Sequence, residues 1–300
     1  MSQLFSILVA NYNNGHFFKD CWKTILEQTY QNFEVIIVDD CSIDDSIELI
    51  KKIIKGDTRV KIYINEENKG CGYTKRKCVA LGTGEIMGFV DPDDGIVSKA
   101  LEIMVEKHNQ NPDIAMVYSR LYCTDLDLKI QSKGETLGKK IPEGYSYLTY
   151  GRQAISHFTT FKKKFYDLTE GINPTYKRAV DQDLYYKLEE IGSCLFLDKY
   201  LYLYRINNNS ISANDNWYKA RHWNFVAISS AYERRKNNNS IINFTEKEYK
   251  KCKCNYYRLR ALVSLKDKKI CQMGYFVYKM INAFPGYAFS IFFSNLKQKI

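Results

Sequence analysis

The sequence lacks the apolar run that a membrane-spanning helix needs, since no uninterrupted stretch reaches about 18 residues. It also lacks the basic stretch and apolar core of a signal peptide, because Met1 to Phe5 lead directly into the first predicted strand. The nine cysteines are odd in number and do not show the spacing of a disulfide framework. We therefore expect reduced thiols and a cytoplasmic chain.

Several ligand-binding patterns are also missing. No G-x-G-x-x-G follows the first predicted strand and no G-x-x-x-x-G-K-[ST] occurs, which argues against dinucleotide oxidoreductases and P-loop enzymes. Cys252 and Cys254 have no second ligand pair at zinc spacing, so we predict no zinc site there. The net charge of +10 indicates an anionic partner, which could be nucleic acid, a membrane surface or a phosphorylated substrate.

Strand-like and helix-like patterns alternate through the first part of the chain. Apolar runs predict strands at residues 5–10, 33–38, 60–64, 86–90 and 114–118. Helices are predicted between them, with a capping box formed by Asp45 and Glu48 and a capping serine at Ser98. This alternation favours an α/β fold in which helices cover both faces of a mixed, mainly parallel sheet.

Three carboxylates, those of Asp91, Asp93 and Asp94, follow the strand predicted at 86–90. The segments 11–14 and 39–40 follow two other strands in the same way, and the carboxyl ends of parallel strands share one edge of a sheet. We expect these polar groups to line one cleft. Clustered carboxylates repel one another unless a cation neutralises them, and their oxygens suit Mg²⁺ or Mn²⁺. Taken alone, the acidic segment could also be a solvated turn.

A basic segment lies between the third and fourth predicted strands. Gly70 and Gly72 permit close backbone approach, and Lys75, Arg76 and Lys77 supply positive charge. The segment could contact a diphosphate, or it could be the solvated face of a helix at 74–81.

Several segments match a known family in order and spacing. They are Ser6–Asn14, Gln28–Tyr30, Phe33–Ser42, Asn68–Gly70, Gly84–Ile86 and Phe89–Asp94, followed by the weaker matches Ala179–Leu184 and Tyr204–Ser212. On these residues the chain resembles the inverting nucleotide-sugar glycosyltransferases of family 2, which have the GT-A fold. The resemblance is specific up to about residue 100 and fades beyond about residue 215.

The resemblance implies a nucleotide site at the ends of the first two strands. By position, Asn11, Tyr12 and Asn13 correspond to the turn that holds the nucleoside. Asp39 or Asp40 corresponds to the carboxylate that binds the base edge and the ribose.

The resemblance also assigns roles to the acidic and basic segments. Asp91, Asp93 and Asp94 correspond to the family's D-x-D segment, in which the later acids hold the ribose and a divalent metal. We expect Asp91 and Asp93 to bind the nucleotide, and Asp93 and Asp94 to bind Mn²⁺ or Mg²⁺. Either Lys75 or Arg76 would contact the diphosphate.

The general base is expected at Asp181, which matches the acid of the family's later E-D motif. The chain departs from the family at two positions. Val180 replaces the usual glutamate, with Asp183 as a second acid nearby, and Asn207 replaces a histidine near the metal and phosphate. Asparagine can hydrogen-bond a phosphate but is a poorer metal ligand than histidine.

We expect a GT-A domain over residues 1–214, with a nucleotide-binding half at 1–100 and an acceptor-binding half at 101–214. Residues 215–300 are predicted to be a helical extension, with a helix from Glu246 to about Leu265.

Two segments outside the main motifs also lead to predictions. Strands on the acceptor side are expected near 155–162, where His157 is more simply structural than an acceptor contact. The aromatic segment 271–299, flanked by lysines, could lie at a membrane interface or pack against protein.

These observations lead us to expect a metal-dependent inverting glycosyltransferase that acts in bacterial surface polysaccharide synthesis. The expected donor is a nucleotide-diphosphate sugar, most commonly of UDP in this family, and the acceptor a saccharide or a lipid-linked saccharide. The chain would be cytoplasmic, or peripheral at the inner face of the membrane. Nucleic acid is not expected, because the aromatic residues lie mainly in apparent core runs. The alternative is a non-catalytic nucleotide-sugar-binding or assembly protein of the same fold.

Overall fold

The computed structural model describes residues 3–151, 154–206, 217–238 and 244–297. Contacts divide the chain into two compact units, Met1–Ser210 and Ile211–Ile300. The predicted domain boundary near residue 214 and the family position Asn207 both lie outside the described residues.

The first unit is built on a single mixed sheet. Its strands are β1 (Phe5–Asn11), β2 (Phe33–Asp39), β3 (Val60–Ile64), β4 (Ile86–Phe89), β5 (Gly95–Ile96), β6 (Ile114–Thr124), β7 (Ile130–Lys133), β8 (Thr159–Lys162) and β9 (Ser193–Arg205). Their spatial order is β3-β2-β1-β4-β8-β6-β9-β5, and β7 pairs with β6. The first four strands are mutually parallel, and β8 is antiparallel to both of its neighbours.

Helices lie between and around these strands. In the first unit they are α1 (Phe18–Leu26), α2 (Ser46–Ile54), α3 (Cys71–Leu81), α4 (Ala100–Gln110), α5 (Tyr147–Tyr150), α6 (Lys163–Tyr166) and α7 (Val180–Glu189), with a 3-10 turn at Gly15–Phe17. The α/β class, the mixed sheet and its flanking helices are as predicted.

The buried strands explain why this half folds as the pattern indicates. Alternate residues of β1, including Phe5, Ile7 and Val9, share one apolar core with α1 and α4. The opposite face of the same strand packs on α3, where the thiol of Cys78 donates to the carbonyl of Val9. A strand covered on both faces reads as a continuous apolar run, which is the signal that identified it in the sequence.

Both predicted side-chain caps are wrong. Asp45 is the N-cap of α2 without a side-chain bond, and the hydroxyl of Ser46 instead accepts from the backbone of Gly15. Helix α4 begins one residue later than Ser98 would allow, and its Leu101 N–H donates to the side chain of Gln28, which follows α1, at 3.1 Å. At α4 a tertiary contact therefore satisfies a backbone donor that Ser98 was expected to satisfy.

Glu34 joins the amino ends of several strands. Its buried carboxylate accepts from the hydroxyl of Ser6 at 2.8 Å, from the backbone and hydroxyl of Thr83, and from Lys61 at 3.1 Å. Burial acts to raise the pKa of Glu34, but the bonds from Thr83, Ser6 and Lys61 outweigh it and the net shift is downward.

Replacing Glu34 by glutamine is expected to lower the free energy of unfolding by about 1.5–3 kcal/mol at pH 7, because bonds to a charged acceptor are lost. A carboxylate with a depressed pKa stabilises the fold above its unfolded pKa, so the deficit shrinks as pH falls below about 4.5. Urea unfolding at pH 7 and pH 4 measures both effects, with exposed Glu66→Gln as the control. An equal deficit at both pH values would contradict the prediction.

Strand β9 brings a late part of the chain to the acidic segment. It runs parallel to β6 and antiparallel to β5, with Leu203 opposite Gly95. Tyr202 and Arg205 thereby lie beside residues 91–94.

The second unit is helical. It comprises α8 (Trp217–Asn238), α9 (Glu246–Lys266), α10 (Ile270–Ala283) and α11 (Pro285–Lys297). A capping box formed by Thr245 and Glu248 starts α9, and this helix confirms the one predicted from Glu246. The rings of Phe225 and Tyr256 stack between α8 and α9 with centroids 4.2 Å apart. None of the helices within the described residues is long and apolar enough to cross a bilayer.

Candidate active site

The polar ends of β1 and β2 meet as the parallel topology requires. The side-chain amide of Asn11 donates to Asp39 at 2.7 Å, and the backbone N–H of Asp40 donates to the carbonyl of Asn11 at 2.8 Å. Asn14, in the turn after β1, hydrogen-bonds the side chain of Asp93. The three segments expected to share one cleft are therefore in contact.

Asp39 and Asp40 are buried and engaged by the protein itself. Asp39 accepts from Asn11 and from both the backbone and the hydroxyl of Ser42. Asp40 accepts from the side chain of Asn65 and from the backbone N–H groups of Lys69 and Gly70. These carboxylates fix the loops that follow β2 and β3.

The turn after β1 is held by hydrogen bonds and presents one exposed ring. Asn13 has a positive φ of 52°, and its backbone and side chain bond Ser42 and Ile43 at 2.9 Å each. Tyr12, which lies between Asn11 and Asn13, is exposed. Asn11 is buried, and its side-chain oxygen has no hydrogen-bond partner among the described residues.

The three acids of the 91–94 segment have different surroundings. Asp94 is buried, accepts from the backbone of Arg205 at 2.8 Å and hydrogen-bonds the hydroxyl of Tyr202. The same hydroxyl accepts from the backbone of Asp91 at 3.2 Å. Asp93 is partly exposed and bonds Asn14.

Burial and neighbouring charges shift the carboxyl pKa values in this segment. Burial, followed by the charges of Asp93 and Asp91, raises the pKa of Asp94 well above its usual value. Burial and the charge of Asp91 also raise the pKa of Asp93. For Asp91, burial is outweighed by the charges of Lys75 and His157, so its pKa falls. Positive charge is thus supplied to Asp91, while Asp93 and Asp94 remain under-neutralised.

Arg205 supports the acidic segment from behind, a role that the sequence patterns did not reveal. Its buried guanidinium donates to the backbone carbonyls of Asp93 and Leu126 and to the carboxylate of Asp20 at 3.1 Å. It also lies 4.6 Å from the centroid of the Phe17 ring. Because these contacts hold the backbone of the segment, Arg205 positions the acids without facing the cleft.

Lys75 connects the acidic segment to α7. Its Nζ lies 2.8 and 3.0 Å from the two oxygens of Asp181 and 3.5 Å from Asp91, and its side chain is only 4% exposed. Burial alone would lower the pKa of Lys75, but Asp181 and Asp91 raise it well above its usual value. The buried ammonium is therefore fully charged at neutral pH and holds the two carboxylates together.

The two aspartates of α7 are clearly distinguished by the structure. The Asp181 side chain is 28% exposed and faces Lys75, whereas that of Asp183 is 1% exposed and bonds Lys187 at 2.7 Å. Val180, at the family's glutamate position, is buried. Only Asp181 of the pair lies beside the acidic segment.

Arg76 points elsewhere, although it adjoins Lys75 in sequence. Its guanidinium donates to the carbonyls of Glu170 and Ile172 at 3.1 and 2.8 Å. Arg76 thus braces the loop before α7.

Gly70 and Gly72 are required for different structural reasons. Gly70 has a positive φ of 89°, and its N–H donates to the carboxylate of Asp40. A Cβ on Gly72 would lie 2.4 Å from the carbonyl oxygen of Asn173, so this glycine lets α3 approach the protein's own loop.

His157 lies beside the acids as well. Its Nε2 is 4.0 Å from Asp91, and its ring stacks on Tyr202 with centroids 5.0 Å apart. Within the described residues, no three His, Cys, Asp or Glu side chains are grouped so that they could hold a metal ion by themselves.

Comparison with known proteins gives these contacts a context. The chain is 30% identical over 205 residues to a chondroitin synthase of Escherichia coli, an alignment that covers 66% of this chain and 28% of the synthase. It is 23% identical to a Campylobacter jejuni protein named GalNAc(5)-diNAcBac-PP-undecaprenol beta-1,3-glucosyltransferase, with 85% of this chain and 81% of that protein covered. The first curated synthases matched are much longer, since the chain spans between 23% and 28% of their length.

A solved structure shares the fold. S. aureus TarS residues 1–349 in complex with UDP-GlcNAc superposes with a TM-score of 0.60 at 19% identity, covering 95% of this chain and 89% of that one. This likeness confirms the predicted GT-A fold. The model of the family described as "Glycosyl transferase family 2" matches residues 6–187, which is more than half of the chain. The chain therefore belongs to glycosyl transferase family 2.

Proposed function

We propose that this chain is a metal-dependent inverting glycosyltransferase that uses a nucleotide-diphosphate sugar, with UDP as the expected nucleotide. The observation that carries the proposal is the contact of Lys75 with both Asp91 and Asp181. It joins an acid of the D-x-D segment to a partly exposed acid at the start of α7. Donor-side and base-side carboxylates thus lie within a few ångströms of one cation.

The nucleotide is assigned to the turn after β1 and the acids beside it. The exposed ring of Tyr12 offers a stacking surface for a base, while Asn11 and Asn13 fix the turn. The internal bonds of Asp39 and Asp40 support a role in shaping the surrounding loops. A TarS structure contains UDP-GlcNAc, which supports UDP as the nucleotide here.

We assign the divalent metal, Mn²⁺ or Mg²⁺, to Asp93. The donor set fits such an ion, because Asp93 is partly exposed and its pKa is raised by burial and the neighbouring Asp91 charge. Asp94, which the resemblance also assigned to the metal, is bound to Arg205 and Tyr202 and supports Asp93 from the protein side. When bound, the ion would neutralise charge that develops on the departing diphosphate.

Asp181 is assigned the general base. Its carboxylate would accept the proton of the acceptor hydroxyl as that oxygen attacks the sugar carbon opposite the leaving nucleotide, which inverts the configuration. Lys75 is hydrogen-bonded to Asp181 and faces the donor acids, where its charge can stabilise the diphosphate. Arg76, which the sequence left as an alternative, is engaged by the 170–172 loop.

The acceptor class is a saccharide or a lipid-linked saccharide, in the synthesis of a bacterial surface polysaccharide. The names of the relatives support this, since one is a chondroitin synthase and another acts on an undecaprenol-linked saccharide. We assign His157, which lies beside Asp91 and Tyr202, to the rim of the acceptor-binding half.

A ligand screen tests the donor site. The chain is screened with UDP-, GDP- and TDP-sugars in the presence of Mn²⁺, Mg²⁺ or a chelator. We expect the sugars of one nucleotide to stabilise the protein, and to do so with metal but not with chelator. A ligand present at 100 times its Kd adds about 2.7 kcal/mol to the free energy of unfolding. Asp93→Asn is expected to abolish the metal-dependent part, and Asp127→Asn, an exposed acid elsewhere, should retain it. Thermal unfolding is the measurement, and an unchanged response in Asp93→Asn would remove the metal assignment.

The alternative function is a non-catalytic nucleotide-sugar-binding or assembly protein. It is motivated by the buried Val180 in place of the family's glutamate and by Asn207. Both functions predict nucleotide binding, but only the enzyme releases nucleoside diphosphate in the presence of metal and acceptor. Binding without any turnover would favour the alternative.

We further propose that the helical unit contacts the membrane surface through α10. Tyr275 and Tyr278 are exposed on this helix, and Lys279 lies beside them. Aromatic side chains with neighbouring cations are typical of interfacial helices. Such contact would make the chain peripheral at the inner face of the membrane.

Flotation of the full chain with vesicles rich in anionic lipid tests this contact. The double variant Tyr275→Ser/Tyr278→Ser is expected to reduce the bound fraction about tenfold, since two interfacial rings are lost. Tyr145→Ser, which removes an exposed ring of the first unit, serves as the control. Equal flotation of all three proteins would exclude α10 as the contact.

A further inference from the structure

The two carboxylate oxygens of Asp91 face different groups. Nζ of Lys75 lies 3.5 Å from Oδ1, whereas Nε2 of His157 lies 4.0 Å from Oδ2. The lysine links the first oxygen to Asp181, the proposed general base. Lys75 and His157 thus approach Asp91 at different oxygens, and only the first of these contacts leads to the base.

A gap rather than a hydrogen bond separates His157 from Asp91. The 4.0 Å between Nε2 and Oδ2 is too long for a hydrogen bond, which spans about 2.7–3.2 Å. Within the described part of the chain, neither atom has a hydrogen-bond partner, and neither is sealed from solvent. The two side chains are 20% and 33% exposed. Both atoms are therefore accessible to a ligand.

Tyr202 positions the imidazole and the carboxylate relative to each other. The ring of His157 stacks on the buried ring of Tyr202, with centroids 5.0 Å apart and planes at 22°. The hydroxyl of this tyrosine accepts from the backbone N–H of Asp91 at 3.2 Å and hydrogen-bonds the carboxylate of Asp94. One side chain thus holds the histidine through its ring and the acidic segment through its hydroxyl.

The spacing of Nε2 and Oδ2 fits one bridging hydroxyl group. A hydroxyl oxygen about 2.8 Å from each atom would meet them at an angle of about 90°. Such a group would donate to the carboxylate of Asp91 and accept from the N–H of His157. A charged imidazole carries a proton on both nitrogens, and in a neutral one the facing carboxylate favours the proton on Nε2. The pair therefore offers an acceptor and a donor to the same hydroxyl.

We propose that His157 and Asp91 together bind one hydroxyl of the sugar that is transferred. The inference rests on the proposed function, in which this sugar must lie between the diphosphate and the attacking hydroxyl. Asp91 suits that place, because it contacts the base-side Lys75 while Tyr202 ties it to the acidic segment. A donor sugar without a hydroxyl at the bridging position would leave the gap between His157 and Asp91 unfilled.

Two substitutions of His157 separate its N–H group from its ring. His157→Phe keeps a ring for the stack on Tyr202 but removes both nitrogens, whereas His157→Gln removes the ring and places an amide N–H near the position of Nε2. The Kd values of UDP, UDP-glucose, UDP-galactose and UDP-GlcNAc are measured with Mn²⁺ by titration calorimetry on the full chain. The quantity compared is the Kd of each UDP-sugar divided by the Kd of UDP.

The loss of one hydrogen bond sets the expected size of the effect. His157→Phe is expected to raise this Kd ratio about fivefold for the UDP-sugar that binds most tightly, and to leave the Kd of UDP unchanged. His157→Gln should bring the ratio back to within about twofold of the parent chain, since a donor is again present. A merely structural role in the stack on Tyr202 would give the opposite order of the two variants.

Ser156→Ala is the matched control beside His157. The hydrogen bond described for Ser156 uses its backbone carbonyl, which accepts from the hydroxyl of Thr159 at 2.6 Å and remains after the substitution. The Kd ratio of this variant is expected to equal that of the parent chain. An equal rise in Ser156→Ala and His157→Phe would trace the effect to the loop and overturn the proposal.

Deoxy analogues identify the hydroxyl that is bound. The tightest UDP-sugar is compared with analogues in which hydrogen replaces one hydroxyl of the sugar at a time. The parent chain should bind one analogue more weakly than the intact sugar, and His157→Phe should bind the two about equally, because the same hydrogen bond cannot be lost twice. If every analogue loses as much affinity in His157→Phe as in the parent chain, no hydroxyl is bound by His157.

The remaining outcomes separate this inference from the proposed function. An unchanged Kd ratio in His157→Phe, or a ratio that His157→Gln does not restore, would overturn the inference alone, because UDP and the UDP-sugar are still bound. A parent chain that binds UDP but none of the UDP-sugars would also overturn it. A parent chain that binds neither would remove the nucleotide assignment of the proposed function, and this inference with it.

Discussion

Replacing Asp181 by asparagine is expected to lower kcat by about 10²–10⁴-fold, the usual contribution of a general base. The reason is geometric, since Asp181 is the partly exposed aspartate of α7 and lies 2.8 Å from the lysine that also contacts Asp91. Asparagine keeps a hydrogen-bond acceptor for Lys75 but cannot take a proton from the acceptor hydroxyl. Steady-state transfer assays at saturating donor, combined with a separate measurement of UDP-sugar Kd, check that only turnover is lost.

Asp183→Asn is the matched control for this variant. Asp183 is buried against Lys187, so its loss is expected to destabilise the fold while kcat per folded molecule stays within about threefold of the parent chain. Near-normal transfer by Asp181→Asn with nucleotide binding intact would show that the base has been assigned to the wrong residue.

Lys75→Met is expected to lower the free energy of unfolding by about 3 kcal/mol. Removing one partner of a buried ion pair leaves uncompensated charge, and the lower end of the ~3–5 kcal/mol range applies because both carboxylates are partly exposed. Transfer activity should fall as well, because Asp91 and Asp181 then repel each other across the site. Urea unfolding and initial-rate assays at fixed pH measure the two losses.

Lys77→Met provides the comparison two residues further along α3. Lys77 bonds the side-chain oxygen of Asn65 at 2.9 Å and has no carboxylate partner among the described ion pairs, so a loss of about 1 kcal/mol or less is expected. Equal destabilisation by the two lysine variants would mean that the ion pairs of Lys75 do not stabilise the fold.

The central sheet was predictable because its strands are covered on both faces. A strand such as β2, buried throughout from Phe33 to Asp39, leaves an apolar run whose length and flanking turns identify it. The convergence of the 11–14, 39–40 and 91–94 segments followed from parallel topology alone. The GT-A fold itself was predicted from the resemblance, and the comparisons confirm it.

The contacts that organise the site were not predictable from local pattern. A lysine is normally exposed, so nothing near Lys75 signals that it is buried against Asp181, 106 residues away. Arg205 likewise bonds Asp94 across 111 residues and Asp20 across 185. Local sequence also could not separate Asp181 from Asp183, because their difference depends on Lys187 and on the loop before α7.

The internal engagement of Asp39 and Asp40 has a consequence for protein engineering. Their carboxylates accept hydrogen bonds from Ser42, Asn65 and the backbone of Lys69 and Gly70, so these acids set the shape of the loops around the proposed nucleotide site. Substituting either acid would loosen two loops before it changed any contact with a base. If the proposed donor site is correct, its preference would therefore be redesigned by exchanging whole loop segments with relatives rather than by point mutation.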